Sequence, residues 1–174
     1  MSVRFVRFVC LALALGIASQ AKAPKPSSKS VPRKSVRFLA EASTPPAKIP
    51  VGRSLLLTEF VDNDSLRVQG LSDRKSLDWN SGMLFVFPDA KSRTFWMIDC
   101  SFDLDIAYMD PHGVVRDIQT MVIEPGVSPE LLSRYPSRTD DIMYALEVNR
   151  GWLNSCGLKV GDTIPAVVRY KTRR

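Results

Sequence analysis

Three aspartates at alternate positions in one short stretch are the residues of this sequence best spaced to do chemistry. Residues 95–109 read FWMIDCSFDLDIAYM. In an extended backbone successive side chains point to opposite faces. Trp96, Ile98, Cys100, Phe102, Leu104, Ile106 and Tyr108 would then share an apolar face, and Asp99, Ser101, Asp103 and Asp105 the other. Alternate residues on a strand lie roughly 6.5–7 Å apart. At that spacing Asp103 and Asp105 can perturb each other's titration and share a hard cation such as calcium or magnesium, or divide acid and base roles between them. The plain alternative is the solvated face of an amphipathic antiparallel strand, which alternation alone favours. Asp is nevertheless a poor strand former, so a run of them calls for turn hydrogen bonds, an Arg partner or a ligand.

Arg67 and Arg74 are the partners on offer, because a guanidinium gives two-pronged hydrogen bonds to a carboxylate. Glu147 lies between Leu146 and Val148 and points away from both in a strand, as a surface or edge residue or as a further pocket carboxylate. The expected binding set is Asp105, Arg74, Arg67, Asp103 and Asp99. Other chemistries find little support. The single histidine, His112, falls in a turn, which leaves no zinc ligand set and no oriented base for a serine or cysteine nucleophile. There is no Gly-x-Ser-x-Gly elbow and no phosphate-cradling glycine loop. No metal is assigned, and no cofactor is identified.

The elements that must position these residues are short. Apolar runs separated by turn residues characterise a β-rich domain. Strands are expected over 53–61, 82–87, 94–99, 104–109, 114–121, 145–148 and 163–170. Asp110-Pro111-His112-Gly113 is the turn of a hairpin. Short helices are expected over 129–134, with Ser128 as N-cap and Pro129 at the first helical position, and over 151–156, ended by Gly157. Pro165 argues for an edge position in the last strand. The expected fold is mainly β, a compact sandwich or partly closed barrel of about eight short strands with one or two short helices. Cys100 and Cys156 are expected as separate thiols, with Cys100 on the core face.

The ends read differently from the body. Arg4 and Arg7 precede an apolar run over 8–18, followed by Ala21-Lys22-Ala23 or Ser19-Gln20-Ala21. That is the layout of a signal peptide over 1–23, and the run is too short to span a bilayer. Residues 24–50 are rich in Pro, Lys and Ser and read as a flexible linker, with six Lys/Arg against one acid. Residues 51–170 form the domain, and 171–174 a basic tail. The formal charge of +6 therefore misleads, because residues 51–168 hold 11 Lys/Arg against 17 Asp/Glu. Bases on one folded face interleaved with aromatics, as a nucleic-acid domain needs, are missing. The basic ends suit an anionic envelope surface or a solvated linker. A periplasmic or secreted location is expected, with no transmembrane segment after cleavage and an unknown small-molecule ligand.

Several ordered blocks carry a resemblance. They are Arg67-x-x-Gly70-Leu71-x-x-Arg74, Gly82-Met83-Leu84-Phe85-Val86-Phe87, Phe95-Trp96-Met97, Leu104-Asp105-Ile106, Leu146-Glu147-Val148-x-x-Gly151-Trp152 and Gly161-Asp162. Over about residues 54–168 the chain resembles the domain of unknown function 192 family. The resemblance implies a small β-rich domain, commonly carrying a signal peptide, with no established activity. Ser72 replaces the Met that typically follows Gly-Leu, Ile98-Asp99-Cys100 replaces Lys-Asn-Thr, and Asp103 replaces the Pro before Leu-Asp; Asp105 matches the family pattern. The leading functional expectation is a small binding or accessory module of the cell envelope, with a shallow polar site near Asp105, Arg74, Arg67 and Trp96, although Trp96 falls on the core face. The alternatives are a hydrolase or lyase using Asp103 and Asp105, and a structural partner-binding domain.

Overall fold

The computed structural model describes residues 44–172, with side chains to residue 170. The signal-peptide reading, most of the linker and the end of the basic tail lie outside the described residues. Eight strands and three short helices follow in the order β1 (Ala47–Val51), β2 (Ser54–Val61), α1 (Asp64–Gln69), β3 (Ser81–Lys91), β4 (Thr94–Phe95), β5 (Leu104–Met109), β6 (Val115–Met121), β7 (Tyr135–Pro136), β8 (Ile142–Asn149), α2 (Trp152–Cys156) and α3 (Pro165–Thr172). Six strands form one sheet in the order β1-β2-β3-β8-β5-β6, and β4 pairs with β7 in a second. Only β2 and β3 run parallel. The end strands β1 and β6 do not pair. The fold is thus mainly β and unclosed, as a sandwich or partly open barrel.

Both faces of the large sheet are covered, and this decides the fate of the alternating aspartates. On one face Leu84, Val86, Leu146, Val148, Ala107 and Met109 pack against Trp152, Leu153 and Val167 from α2 and α3. On the other, Met83, Phe85, Ile106, Tyr108 and Ala145 pack against Leu66, Leu71 and Met97. Consequently β5 is buried at every position, and period-two alternation there separates two interiors rather than core from solvent.

Several expectations hold in detail. The Asp110 turn closes the β5–β6 hairpin, with Asp110 Oδ1 accepting from the amides of His112 and Val114 at 2.8 and 2.9 Å. Gly113 takes φ of 77° there, and a Cβ would come within 2.9 Å of the Ile164 carbonyl oxygen. α2 ends at Gly157 in the left-handed region, where glycine carries no Cβ penalty.

Others are corrected. The sheet begins at Ala47, inside the stretch read as linker, because Ile49 and Val51 reach the core. The segment 163–170 is helical from Pro165, not a strand; a proline at the first helical position loses no hydrogen bond, since that amide has no intrahelical partner. Stacking of Tyr170 on Phe60 at 4.3 Å fixes this helix to β2. Residues 129–134 make turns and no helix. α1 escapes sequence reading because it is only six residues long; Asn63 caps it by accepting from the Leu66 amide at 2.9 Å.

Candidate functional site

The face of the sheet opposite α2 and α3 opens into a cleft of about 810 Å³. α1 and the turn after it, the second half of β3, residues 92–96 and 98–100, and a single residue of β8, Glu147, line it. Glu147 sits in the central strand opposite Met83 and Ile106 and shares its face with Ala145. It is only 5% exposed, and among the described residues no donor or cation is paired with its carboxyl. A charged carboxylate in such a place has little water and no protein partner to replace it. Burial accordingly pushes its pKa up to about 8, so the group holds its proton at neutral pH.

Aromatic rings wall the cleft. Phe95 meets Phe85 edge-on at 4.9 Å and Phe87 at 6.4 Å. Arg67 and Arg93 stand over the Phe87 ring, at 5.7 and 3.9 Å from its centroid. Both guanidiniums are engaged by the protein. Arg67 donates to Asp64 at 2.6 Å and to the Val86 carbonyl at 2.7 Å. Arg93 donates to Asp89 at 2.7 Å and to the Ile142 carbonyl at 3.4 Å. At the rim, Trp96 is 43% exposed with Arg134 stacked at 3.8 Å. That corrects its expected place in the core: β4 stops at Phe95, so the side-chain alternation does not carry on to position 96.

Two turns form the opposite edge of the cleft. Asp73 and Asp99 have φ of 62° and 53° and are the only non-glycine residues at positive φ among those described. The Asp73 amide donates to the Asp99 carbonyl at 2.9 Å, and Ser72 Oγ donates to the Ile98 carbonyl at 2.9 Å, which laces the turns together. Asp tolerates this conformation better than most residues, yet it remains strained, and such strain gathers at sites of function. Beside them the Cys100 thiol is pushed up to about 11 by burial, with Glu147 and Asp99 adding to the rise. It stays a thiol at neutral pH and is a weak nucleophile.

The residues singled out from the sequence are not brought together. The ribbon expected over 95–109 is broken between Phe95 and Leu104. Asp105 points to the α2 side of the sheet, away from the cleft. Its Oδ1 accepts from Thr120 Oγ1 at 2.8 Å and its Oδ2 from the Gly151 amide at 2.7 Å. Asp103 Oδ1 accepts from the Ile123 amide at 2.9 Å and Oδ2 from Arg150 at 2.9 Å. The Ile123 amide chiefly, and Arg150 with it, hold Asp103 below the usual carboxylate range. All four oxygens of these two carboxylates thus accept hydrogen bonds that hold neighbouring backbone and side chains in place. Arg74 makes a two-pronged pair with Glu59 at 2.5 and 2.7 Å. The pair is about one-third exposed, so Arg74→Ala is expected to cost about 1 kcal/mol in denaturant unfolding. Of the five residues, Arg67 and Asp99 line the cleft. Glu147 lines it as well, the one residue of β8 that does. The signal available for it was a lone acid inside the apolar run Tyr144-Ala145-Leu146-Glu147-Val148, whose two neighbours are both buried.

Comparison with known proteins agrees with this architecture. A crystal structure from Sinorhizobium meliloti 1021, described as that of a candidate transcription regulator, is similar with a TM-score of 0.58 and 25% identity, covering 69% of this chain and 94% of that one. A second, from Novosphingobium aromaticivorans DSM 12444 and of unknown function, gives 0.55 and 21%, covering 70% of this chain and 93% of that one, and shows likeness of fold alone. No curated protein matches the chain. The family profile DUF192, described as "Uncharacterized ACR", matches residues 49–166. With β2 to β8 and the Leu-Glu-Val block that holds the cleft carboxyl all inside that span, the chain belongs to the DUF192 family.

Proposed function

We propose that this chain is an exported binding module of the cell envelope that takes a small molecule in the cleft over Glu147. One observation carries the binding part: a buried carboxyl with no partner forms the floor of an aromatic-walled cleft of about 810 Å³. That volume lies within the range of small-molecule sites, which pair apolar walls with a few placed polar groups. An unmatched polar group in such a wall is costly to the protein alone and is relieved by a ligand that answers it. The hydrolase or lyase alternative draws less support, because Asp103 and Asp105 each accept two structural hydrogen bonds and neither lines the cleft.

Export rests on the charged start, the apolar run and the small-residue motif over 1–23. The positive charge of residues 24–50 would hold the domain near an anionic surface. Residues 1–50 fused to a reporter enzyme that is active only after export are expected to give activity; an inactive fusion overturns export. For binding, a library of small fragments titrated into isotope-labelled protein is expected to shift resonances of Gly70, Phe85, Phe95 and Glu147 together. Fragments that bind only elsewhere, or none that bind, overturn the cleft as the site.

A further inference from the structure

We infer that the cleft over Glu147 takes an organic ammonium, its cationic head against the Glu147 carboxyl and its apolar body along Phe85, Phe95 and Trp96. This rests on the cleft being the binding site and goes further by fixing the sign of the ligand's charge.

The balance of engaged and free groups supplies the argument. The cleft's three bases are Arg67, Lys91 and Arg93. Asp64 answers Arg67 at 2.6 Å, and Asp89 answers Arg93 at 2.7 Å and Lys91 at 3.1 Å. The acids left over are Asp73, Asp99 and Glu147, none of which has an ion pair or side-chain hydrogen bond among the described residues. Glu147 is more than nine-tenths buried and lines the cavity, so it points to a ligand independently of the acidic rim. An anion would meet guanidiniums already engaged and the unanswered acids Asp73 and Asp99, with Glu147 adding a third negative charge once it loses its proton near pH 8. A cation would meet those acids and the Phe85 and Phe95 rings, since arginines already stand over Phe87 and Trp96.

A pH signature separates the two signs. The ionisable groups around Glu147 are Tyr108 from β5, Cys100 and Asp99 from the segment after β4, and Asp73 and Arg67 across the cleft. Tyr108 and Cys100 are neutral up to high pH, whereas Glu147 changes charge near pH 8. An ammonium needs the carboxylate form and must expel its proton, so affinity rises about tenfold per pH unit up to about pH 8 and then levels. A ligand that accepts a hydrogen bond from the protonated acid shows the reverse.

The test is calorimetric titration of the full chain and of E147Q with benzylamine, benzyl alcohol and benzoate. The wild type is expected to prefer benzylamine, to bind it tens-of-fold more tightly at about pH 8 than at about pH 6, and to release a proton at the lower pH. E147Q is expected to lose that pH dependence and at least tenfold in benzylamine affinity at about pH 8, while melting as a folded protein. D99N keeps Glu147 and is expected to weaken benzylamine alone, by severalfold. Benzoate or benzyl alcohol binding as tightly as benzylamine, or benzylamine affinity falling with pH, overturns the ammonium assignment and leaves the cleft standing. Failure of all three to bind overturns the assignment, and the fragment titration then decides whether the cleft falls with it.

Discussion

Glu147→Gln is expected to remove a loss of stability that the wild type suffers as pH rises from about 5 to about 8, a difference of about 3–4 kcal/mol across that window. The folded protein keeps the Glu147 proton up to about 8, whereas an unfolded chain releases it near about 4.3. Between those values the folded state binds more protons than the unfolded state, so stability falls as pH rises. The contribution is complete below the unfolded value and gone above the folded one. Gln has nearly the same shape, carries no charge and cannot titrate. Other carboxyls, such as Asp103 with its lowered pKa, add an opposite slope at lower pH, but they are common to both proteins and cancel in the difference. Denaturant unfolding of both proteins at several pH values measures the effect. Curves that run parallel over the window would mean that Glu147 is ionised and solvated, and the cleft would lose its floor.

The second large effect is expected on the other face of the sheet. Asp105 joins β6, through Thr120, to the amide that leads into α2, at Gly151. Asp105→Ala strips the partner from that amide beneath a buried strand and should cost about 2–4 kcal/mol. Asp105→Asn keeps a carbonyl oxygen for Gly151 and offers its amide to the Thr120 hydroxyl oxygen, so it should cost only about 1 kcal/mol. Neither variant should alter ligand binding in the cleft, because Asp105 and Glu147 lie on opposite faces of the sheet. Equal losses for Ala and Asn in chemical denaturation would show that the charge of Asp105, and not its hydrogen-bond pattern, holds this junction.

Much of the fold was legible, because turns and short apolar runs are local signals. The Asp110 hairpin and the Gly157 helix end depend on residues within a few positions of each other, and both formed as read. The segment after Thr163 differs from its strand expectation because Ile164, Val167 and Val168 suit a strand as well as a helix; only docking on Phe60 and the sheet face shared with α2 separates the two. The β1 edge was hidden for a related reason. Ala47-Lys48-Ile49-Pro50-Val51 has linker composition, and its strand state comes from pairing with β2.

The site was less legible, since it depends on which sheet faces are covered. Period two divided residues 95–109 correctly into two sets from Leu104 onward, but could not tell that α2 and α3 cover one of them. Asp105 therefore looked like a surface ligand and proved to be a buried hydrogen-bonding hub. Glu147 could be read as a surface or edge residue or as a pocket carboxylate, and the sequence could not choose, because it does not say that β8 lies between β3 and β5. Strand order comes from long-range pairing, and here it turned an ordinary-looking glutamate into the floor of a cleft.

The most direct test is the titration of the Glu147 side-chain carboxyl itself, followed by carbon-13 NMR and assigned by its loss in E147Q. A midpoint near 8 is expected for the free protein, with the proton retained at neutral pH. A midpoint near about 4.3, that of an exposed glutamate, would contradict the buried, unpartnered carboxyl on which the proposed site and its ligand both depend.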